Sequence, residues 1–219
     1  MTGIRETRRR AVDQQILDLG RIQLAQVGAA ALSVRAIARD LGMASSAVYR
    51  YVASRDELLT RLVVASYDDL ADHVAAASAA AAPPQRLATT LAAFREWAVG
   101  HPAEFALLYG SPVPGYQAPA AETTAPGTRV IALLLSLLPP TSDGAADLDP
   151  TLAAELQAIA AEFAPHLDAA GVLAALDLWT WLLGTVSQEI FEGYGRGTFA
   201  DPDRVFDAQL RATLARFQF

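Results

Sequence analysis

The chain contains neither cysteine nor lysine. Without cysteine there is no disulfide, no thiolate metal site and no sulfur nucleophile. Without lysine all 17 basic residues are arginine, which excludes a Walker A phosphate loop and a Schiff-base site. Histidine is scarce: His73, His101 and His166 lie far apart, with no His-x-x-x-His or Glu-x-x-His spacing for a metal. Ser111 stands in Gly-Ser-Pro rather than in a Gly-x-Ser-x-Gly elbow, and no glycine-rich phosphate loop is present. The apolar run 130–138 is about half of the ~18–20 residues that a bilayer requires. The arginine-rich start (Arg5, Arg8, Arg9, Arg10) leads into Asp13, Gln14, Gln15 and Asp18, not into the apolar core of a signal peptide. These absences predict a cytoplasmic protein with no cofactor, no metal, no membrane association and no enzymatic activity.

What is present is apolar and helical. Of 219 residues 53% are hydrophobic, alanine abounds and β-branched alternation is rare, which predicts an all-α chain forming one large or two small domains. The net charge of −7 conceals an asymmetry. Residues 1–61 hold ten arginines against six carboxylates, net +4, whereas 62–219 hold seven against eighteen, net −11. A basic head on an acidic body suits an electrostatic footprint for nucleic acid confined to one end. Alone, the clustered arginines would be better read as chance; a DNA-binding motif beside them decides otherwise.

That motif lies in 33–59. Ser33 is placed to cap a short helix carrying Val34, Ile37, Ala38 and Leu41 on one face. Gly42 falls where a helix must stop in a left-handed turn, which side chains with a Cβ resist. A second short helix from residue 44 turns Val48 and Val52 inward and leaves Ser45, Ser46, Tyr49 and Arg50 outside. Two short helices, a glycine-containing turn and a small residue, Ala38, at the crossing make a helix-turn-helix, whose second helix enters the DNA major groove. Ser54-Arg55-Asp56-Glu57 then reads as a capping box opening a long helix through Leu58, Leu59, Leu62, Val63, Leu70 and Val74.

Gly-Met-Ala-Ser-Ser-Ala-Val-Tyr-Arg-Tyr-Val and Ser-Arg-Asp-Glu-Leu-Leu together resemble the N-terminal signature of the TetR family of bacterial transcriptional regulators, over roughly the first third of the chain. Ala44 stands where that family usually has a capping Ser or Thr, and Val52 where it usually has Phe, so Ser45 or a neighbouring backbone group is expected to cap the second helix instead. The resemblance implies an N-terminal three-helix head (1–53), a connecting helix (54–82) and a C-terminal helical bundle for ligand binding and dimerisation (83–219). It implies double-stranded operator DNA and a second copy of the chain as partners. Repression of a near-palindromic operator, relieved by an unidentified small lipophilic effector, is the expected function. The competing expectation is a DNA-independent small-molecule-binding or scaffold protein with a vestigial helix-turn-helix.

Outside the motif, the periodicity predicts helices over 7–27, 54–82, 85–99, 102–109, 127–138, 151–164, 169–192 and 202–217, the last opened by Asp201-Pro202. Val12, Ile16, Leu19, Ile22, Leu24 and Val27 should face inward on the first. Two long loops, 110–126 with four prolines and 139–150, interrupt the body. Phe206, Leu210, Thr213, Leu214 and Phe217 form an apolar stripe expected to need a partner copy. Trp179, Trp181 and Gly184 resemble a tryptophan-glycine pattern of one subset of these bodies.

The candidate DNA contacts are Ser33, Arg35, Ser45, Ser46, Tyr49, Arg50, Tyr51 and Arg55. Ser45, Ser46 and Arg50, with help from Arg35 or the N-terminal arm, are expected at base edges. The resemblance sets Tyr49, Tyr51 and Arg55 against phosphate, and Arg55 opens a helix whose N-terminus attracts one. A solvated helix face with packing tyrosines would be the plainer reading of an isolated helix. Trp97, His101, Phe105, Leu108, Tyr109, Trp179 and Trp181 offer apolar walls with a few polar handles for an effector. Each alone is more simply core, and His101 before Pro102 reads as a capping histidine at a helix break.

Overall fold

The computed structural model describes residues 2–140 and 148–216, and among these the chain is helical without strands. In order come α1 (Thr2–Val27), α2 (Val34–Asp40), α3 (Ser45–Val48), α4 (Arg55–Ala80), α5 (Arg86–Gly100), α6 (Pro102–Tyr109), α7 (Ala120–Leu137), α8 (Pro150–Phe163), α9 (Ala169–Ile190) and α10 (Pro202–Arg216). Short 3₁₀ turns at Ala29–Ala31 and Pro83–Gln85 precede α2 and α5. The helices pack into two compact units, Met1–Asp69 with His101–Gly127, and Leu70–Gly100 with Thr128–Phe219. Packing therefore groups the chain differently from the sequence order 1–53, 54–82 and 83–219, because 101–127 joins the helix-turn-helix.

The first unit closes over Ile16, Leu24, Val34, Ile37, Ala38, Val48, Val52, Leu58, Leu59 and Leu62. Its α6 packs on α1, and Leu107, Val113 and Tyr116 rest against the same core. At Gly20 a Cβ would come within 3.2 Å of Leu62, so α1 and α4 approach closely there. The buried face of α1 runs through Ile16, Gly20, Gln23 and Leu24, the i, i+4, i+7, i+8 spacing of one helix side. Ile22 and Val27, expected inside, lie off that face and are 51% and 54% exposed.

The loop expected over 110–126 is shorter than that. The Pro119 carbonyl accepts the Glu122 and Thr123 backbone N–H groups and the Thr123 hydroxyl, so α7 begins at Ala120 and carries Pro126 inside it. One proline removes one rung of the helical ladder, and α7 continues past the gap.

In the second unit α9 is central, with α5, α8 and α10 packed on it. Val172, Ala175, Leu178, Leu182 and Val186 make its buried face. By length and composition α9, with a mean hydropathy of 1.5 over its most apolar window, could cross a membrane, which the shorter run 130–138 could not. Here α5, α8 and α10 pack on it, and 44% of that window is buried. Phe206, Leu210 and Thr213 of α10 are buried within this chain, so the stripe expected to await a partner is largely used internally. Leu214 is half-buried, and Phe217 and most of the expected 139–150 loop lie outside the described residues. Arg95 of α5 is bound bidentately by Glu189 of α9 at 2.6 and 2.6 Å and by Asp203 of α10 at 2.7 Å, with Phe206 5.0 Å beneath it.

Candidate nucleic-acid interface

The helix-turn-helix is assembled by local caps. Ser33 is extended, and its Oγ accepts the Ala36 N–H at 3.3 Å. Its own N–H donates to Gln23 Oε1 at 3.2 Å, which fastens the start of α2 to α1. Gly42 takes φ +64°, the left-handed turn that ends α2. Ala44, the N-cap of α3, is extended and makes no side-chain cap bond, while its carbonyl accepts the Ala47 and Val48 N–H groups at 2.8 and 3.3 Å. The regular helix is four residues long, yet the chain keeps turning through Tyr49 N–H to Ser45 O at 3.0 Å and Val52 N–H to Val48 O at 3.0 Å. Fully buried Val48 and Val52 pin this recognition turn to the core. Ser46, Tyr49 and Arg50 face outward, Ser45 and Tyr51 are half-buried, and Arg35 is exposed on the first turn of α2.

Two arginines of α4 bond backbone carbonyls, Arg61 at the end of the recognition turn and Arg55 at the α1–α2 connection. Arg61 donates to the Tyr51 carbonyl and to Glu57, and reaches Asp13 of α1 at 3.3 Å. It joins α1, α4 and the end of the recognition turn. Arg55, expected against phosphate, donates from Nη2 to the Ala29 and Ala30 carbonyls, each at 3.0 Å, and pairs with Asp56 at 3.6 Å. It ties the first turn of α4 to the α1–α2 connection. The capping box forms with one shift: Ser54 Oγ accepts the Glu57 N–H at 3.0 Å, while Glu57 reaches back to the N–H of Ala53, at 2.7 Å, rather than of Ser54. Sequence reasoning missed Arg61 and Gln23, whose partners are remote in sequence; only their burial beside the motif would have marked them.

On the outer side, Arg8 and Arg9 of α1 and Met43, Ala47, Arg50 and Tyr51 line a cleft of about 390 Å³. The Arg9 guanidinium lies 5.9 Å from the centre of the Tyr51 ring.

The residues expected around an effector divide between the units. Trp97, Trp179 and Trp181 belong to the α9 unit, where Trp179 meets Phe94 edge-on at 5.5 Å and Trp181 stacks on Phe206 at 5.9 Å. His101, Phe105, Leu108 and Tyr109 belong to the helix-turn-helix unit. There Phe105 is fully buried against Tyr109, ring centres 5.3 Å apart. Burial, and then the neighbouring Tyr67, push the Tyr109 phenol far above its ordinary range; burial raises Tyr67 as well. His101 occupies the N-cap of α6 without a side-chain capping bond, so the capping role expected of it is not found. Leu108 lines a cleft of about 290 Å³ with Val63, Tyr67, Leu107, Val113 and Tyr116, next to a 3.0 Å hydrogen bond between Thr60 and Tyr116. Among the described residues no cluster of His, Asp or Glu could hold a metal.

A glycine-turned helix pair with its second member pinned inside and polar outside is the DNA-binding element of a helix-turn-helix regulator. Residues 16–62 match the bacterial regulatory proteins of the tetR family, and 87–213 match the tetracyclin repressor-like C-terminal domain. The HTH-type transcriptional regulators Rv1816 of Mycobacterium tuberculosis and Mb1846 of Mycobacterium bovis are each 44% identical over 97% of this chain and 95% of their own length. The chain belongs to the TetR family of DNA-binding transcriptional regulators. Among solved structures, SCO4313 is 33% identical with a TM-score of 0.77, covering 96% of this chain and 98% of its own. The TetR family regulator PfmR of Thermus thermophilus shares the fold at a TM-score of 0.55 and 17% identity, over 91% of this chain and 97% of its own.

Proposed function

We propose that the protein is a cytoplasmic repressor that binds a near-palindromic operator as a two-fold dimer and leaves it when a small, largely apolar effector binds. The observation that carries the reading is the recognition turn. Val48, Val52 and Arg61 hold it from inside, and its outer residues Ser46, Tyr49 and Arg50 are left for DNA. Ser45, Ser46 and Arg35 are suited to base edges, and Tyr49 and Tyr51 to phosphate. Ser33 acts chiefly as the cap of α2. Arg55 contributes charge near the backbone, but its first role is to hold the Ala29–Ala31 turn.

For dimerisation the outward face of α9, with Leu176, Thr180 and Gly184, supplies a surface that the described residues leave uncovered. Two heads must stand about one helical turn apart, ~34–36 Å or a multiple, to reach both half-sites. The cleft beside Leu108 suits the effector, because Leu107, Val113 and Tyr116 line it and also support the helix-turn-helix core. A molecule seated there would press directly on the packing beneath α2 and α3. Selection of bound sequences from a random DNA pool, followed by the mass of the complex, tests the reading. An inverted repeat bound by two chains is expected; a non-repeating consensus, or none, overturns it.

A further inference from the structure

We propose that Arg8 and Arg9 of α1 close with Arg50 of the recognition turn on one phosphate strand of the operator, forming a clasp at the edge of the major groove. The proposal rests on the DNA-binding reading and adds a site to it. Three arginines line the cleft of about 390 Å³, and no carboxylate does. Arg8 and Arg50 form no ion pair among the described residues. Arg9 has only Asp13, at 3.9 Å, and that carboxylate is already bonded to Arg61 at 3.3 Å. Arg10, by contrast, is paired with Glu6 at 2.6 Å. The arginines at the start of α1 thus differ in their partners: Arg10 is closely paired with Glu6, Arg9 only distantly with Asp13, and Arg8 with no carboxylate among the described residues.

Like charges gathered in one cleft repel, and an anion between them turns that repulsion into attraction. The chemistry selects a phosphodiester strand. Guanidinium forks match phosphate oxygens in pairs, while Met43, Ala47 and the Tyr51 ring give the cleft an apolar floor against which a sugar can lie. Tyr51 holds the Arg9 guanidinium within cation–π range of its ring, 5.9 Å from the centre. Ala47 and Arg50 are neighbours of Ser46 and Tyr49 on the recognition turn, so the strand in the cleft borders the groove that the turn enters. Arg8 and Arg9 precede the segment 16–62 that matches the family, so this jaw of the clasp lies outside that match. Arg50 then acts on phosphate, and base reading falls to Arg35, Ser45 and Ser46.

The test uses the full-length protein and the operator selected by it, with affinity measured across a salt series. Replacing both residues (R8A/R9A) should flatten the slope of log affinity against log salt by about 1.8 and weaken binding about 30-fold at 0.15 M salt, on operator and random duplex alike, at about 0.9 per lost phosphate contact. The selected consensus should be unchanged, and R8K/R9K should restore the slope. R50A should flatten the slope by about 0.9 with the consensus intact. An unchanged slope in R8A/R9A, or a consensus position lost in any of these variants, would overturn the clasp. Absence of salt-dependent, sequence-selective binding by the wild-type protein would instead sink the DNA reading on which it rests.

Discussion

The helix-turn-helix unit fastens helices of seven and four residues, α2 and α3, with directed bonds from Ser33, Gln23, Arg55 and Arg61. The unit around α9 closes helices of 14 to 22 residues mostly by apolar contact, with Arg95 as its main buried charge. The contrast follows from length. A helix of one or two turns is unstable alone and buries few side chains, so side-chain bonds to neighbouring backbone must fix its ends. A long helix carries a continuous apolar face, and burial at roughly 25 cal/mol per Å² contributes most of its hold, with Asp149, Asp168 and Asp201 capping the starts of α8, α9 and α10. In the first unit geometry is set bond by bond; in the second it is set by area.

The three tryptophans, Trp97, Trp179 and Trp181, all lie in the α9 unit, so tryptophan fluorescence reports that unit alone. Ile37→Ala empties a fully buried site under the recognition turn and should cost about 2–5 kcal/mol. Operator binding should be lost and far-ultraviolet circular dichroism should show an early transition, with the tryptophan melt unmoved. If the tryptophan melt shifts as far, the two units unfold as one and the contrast fails. Next in size is Arg95→Ala, which leaves Glu189 half-buried without its cation. The penalty should be about 3 kcal/mol, below the upper end for buried pairs because Asp203 is solvent-exposed. Here the tryptophan melt should fall, and Arg95→Met should recover part of the loss by covering Phe206.

Smaller again is Ser33→Ala, at about 1 kcal/mol for a lost N-cap. Faster hydrogen exchange at Ala36 and weaker operator binding should appear before any change in tryptophan fluorescence. The smallest effect depends on pH. Because the Tyr109 phenol is raised in the folded chain, the unfolded chain ionises first, from its ordinary value of 10.0 upward. Stability should therefore be intact below that pH and decline above it, less steeply in Tyr109→Phe than in wild type. Identical alkaline slopes in urea melts followed by circular dichroism would show that Tyr109 is not the group responsible.

The readable parts of the sequence were those whose partners lie three or four residues away. Gly42, Ser33 with Ala36, Ser54 with Glu57, and Asp201, whose carboxylate accepts the Arg204 N–H at 3.2 Å, each declare themselves within one turn. Arg55 and Arg61 did not, because the groups they bind lie 26 and 48 residues earlier in the chain. Hydropathy alone also misplaced Ile22, since the buried face of α1 takes Gln23 for its bond to Ser33 in preference to a neighbouring apolar residue. Prolines obscured the start of α7, where the Pro119 carbonyl begins a helix that Pro126 seemed to forbid. Of the residues expected around an effector, Trp97 falls in one unit and His101 and Tyr109 in the other. Composition names residues fit for a pocket; only the fold says which of them share one.

The lysine-free cleft formed by Arg8, Arg9 and Arg50 has a consequence for control. A guanidinium keeps its charge at any pH a cell reaches, and it offers no amine for acetylation. The charge of the proposed clasp would therefore not be removed by titration or by the modification that silences lysines. On that proposal, release from DNA would come from moving these charges and not from removing them, so the spacing of the clasp would be the quantity on which regulation acts.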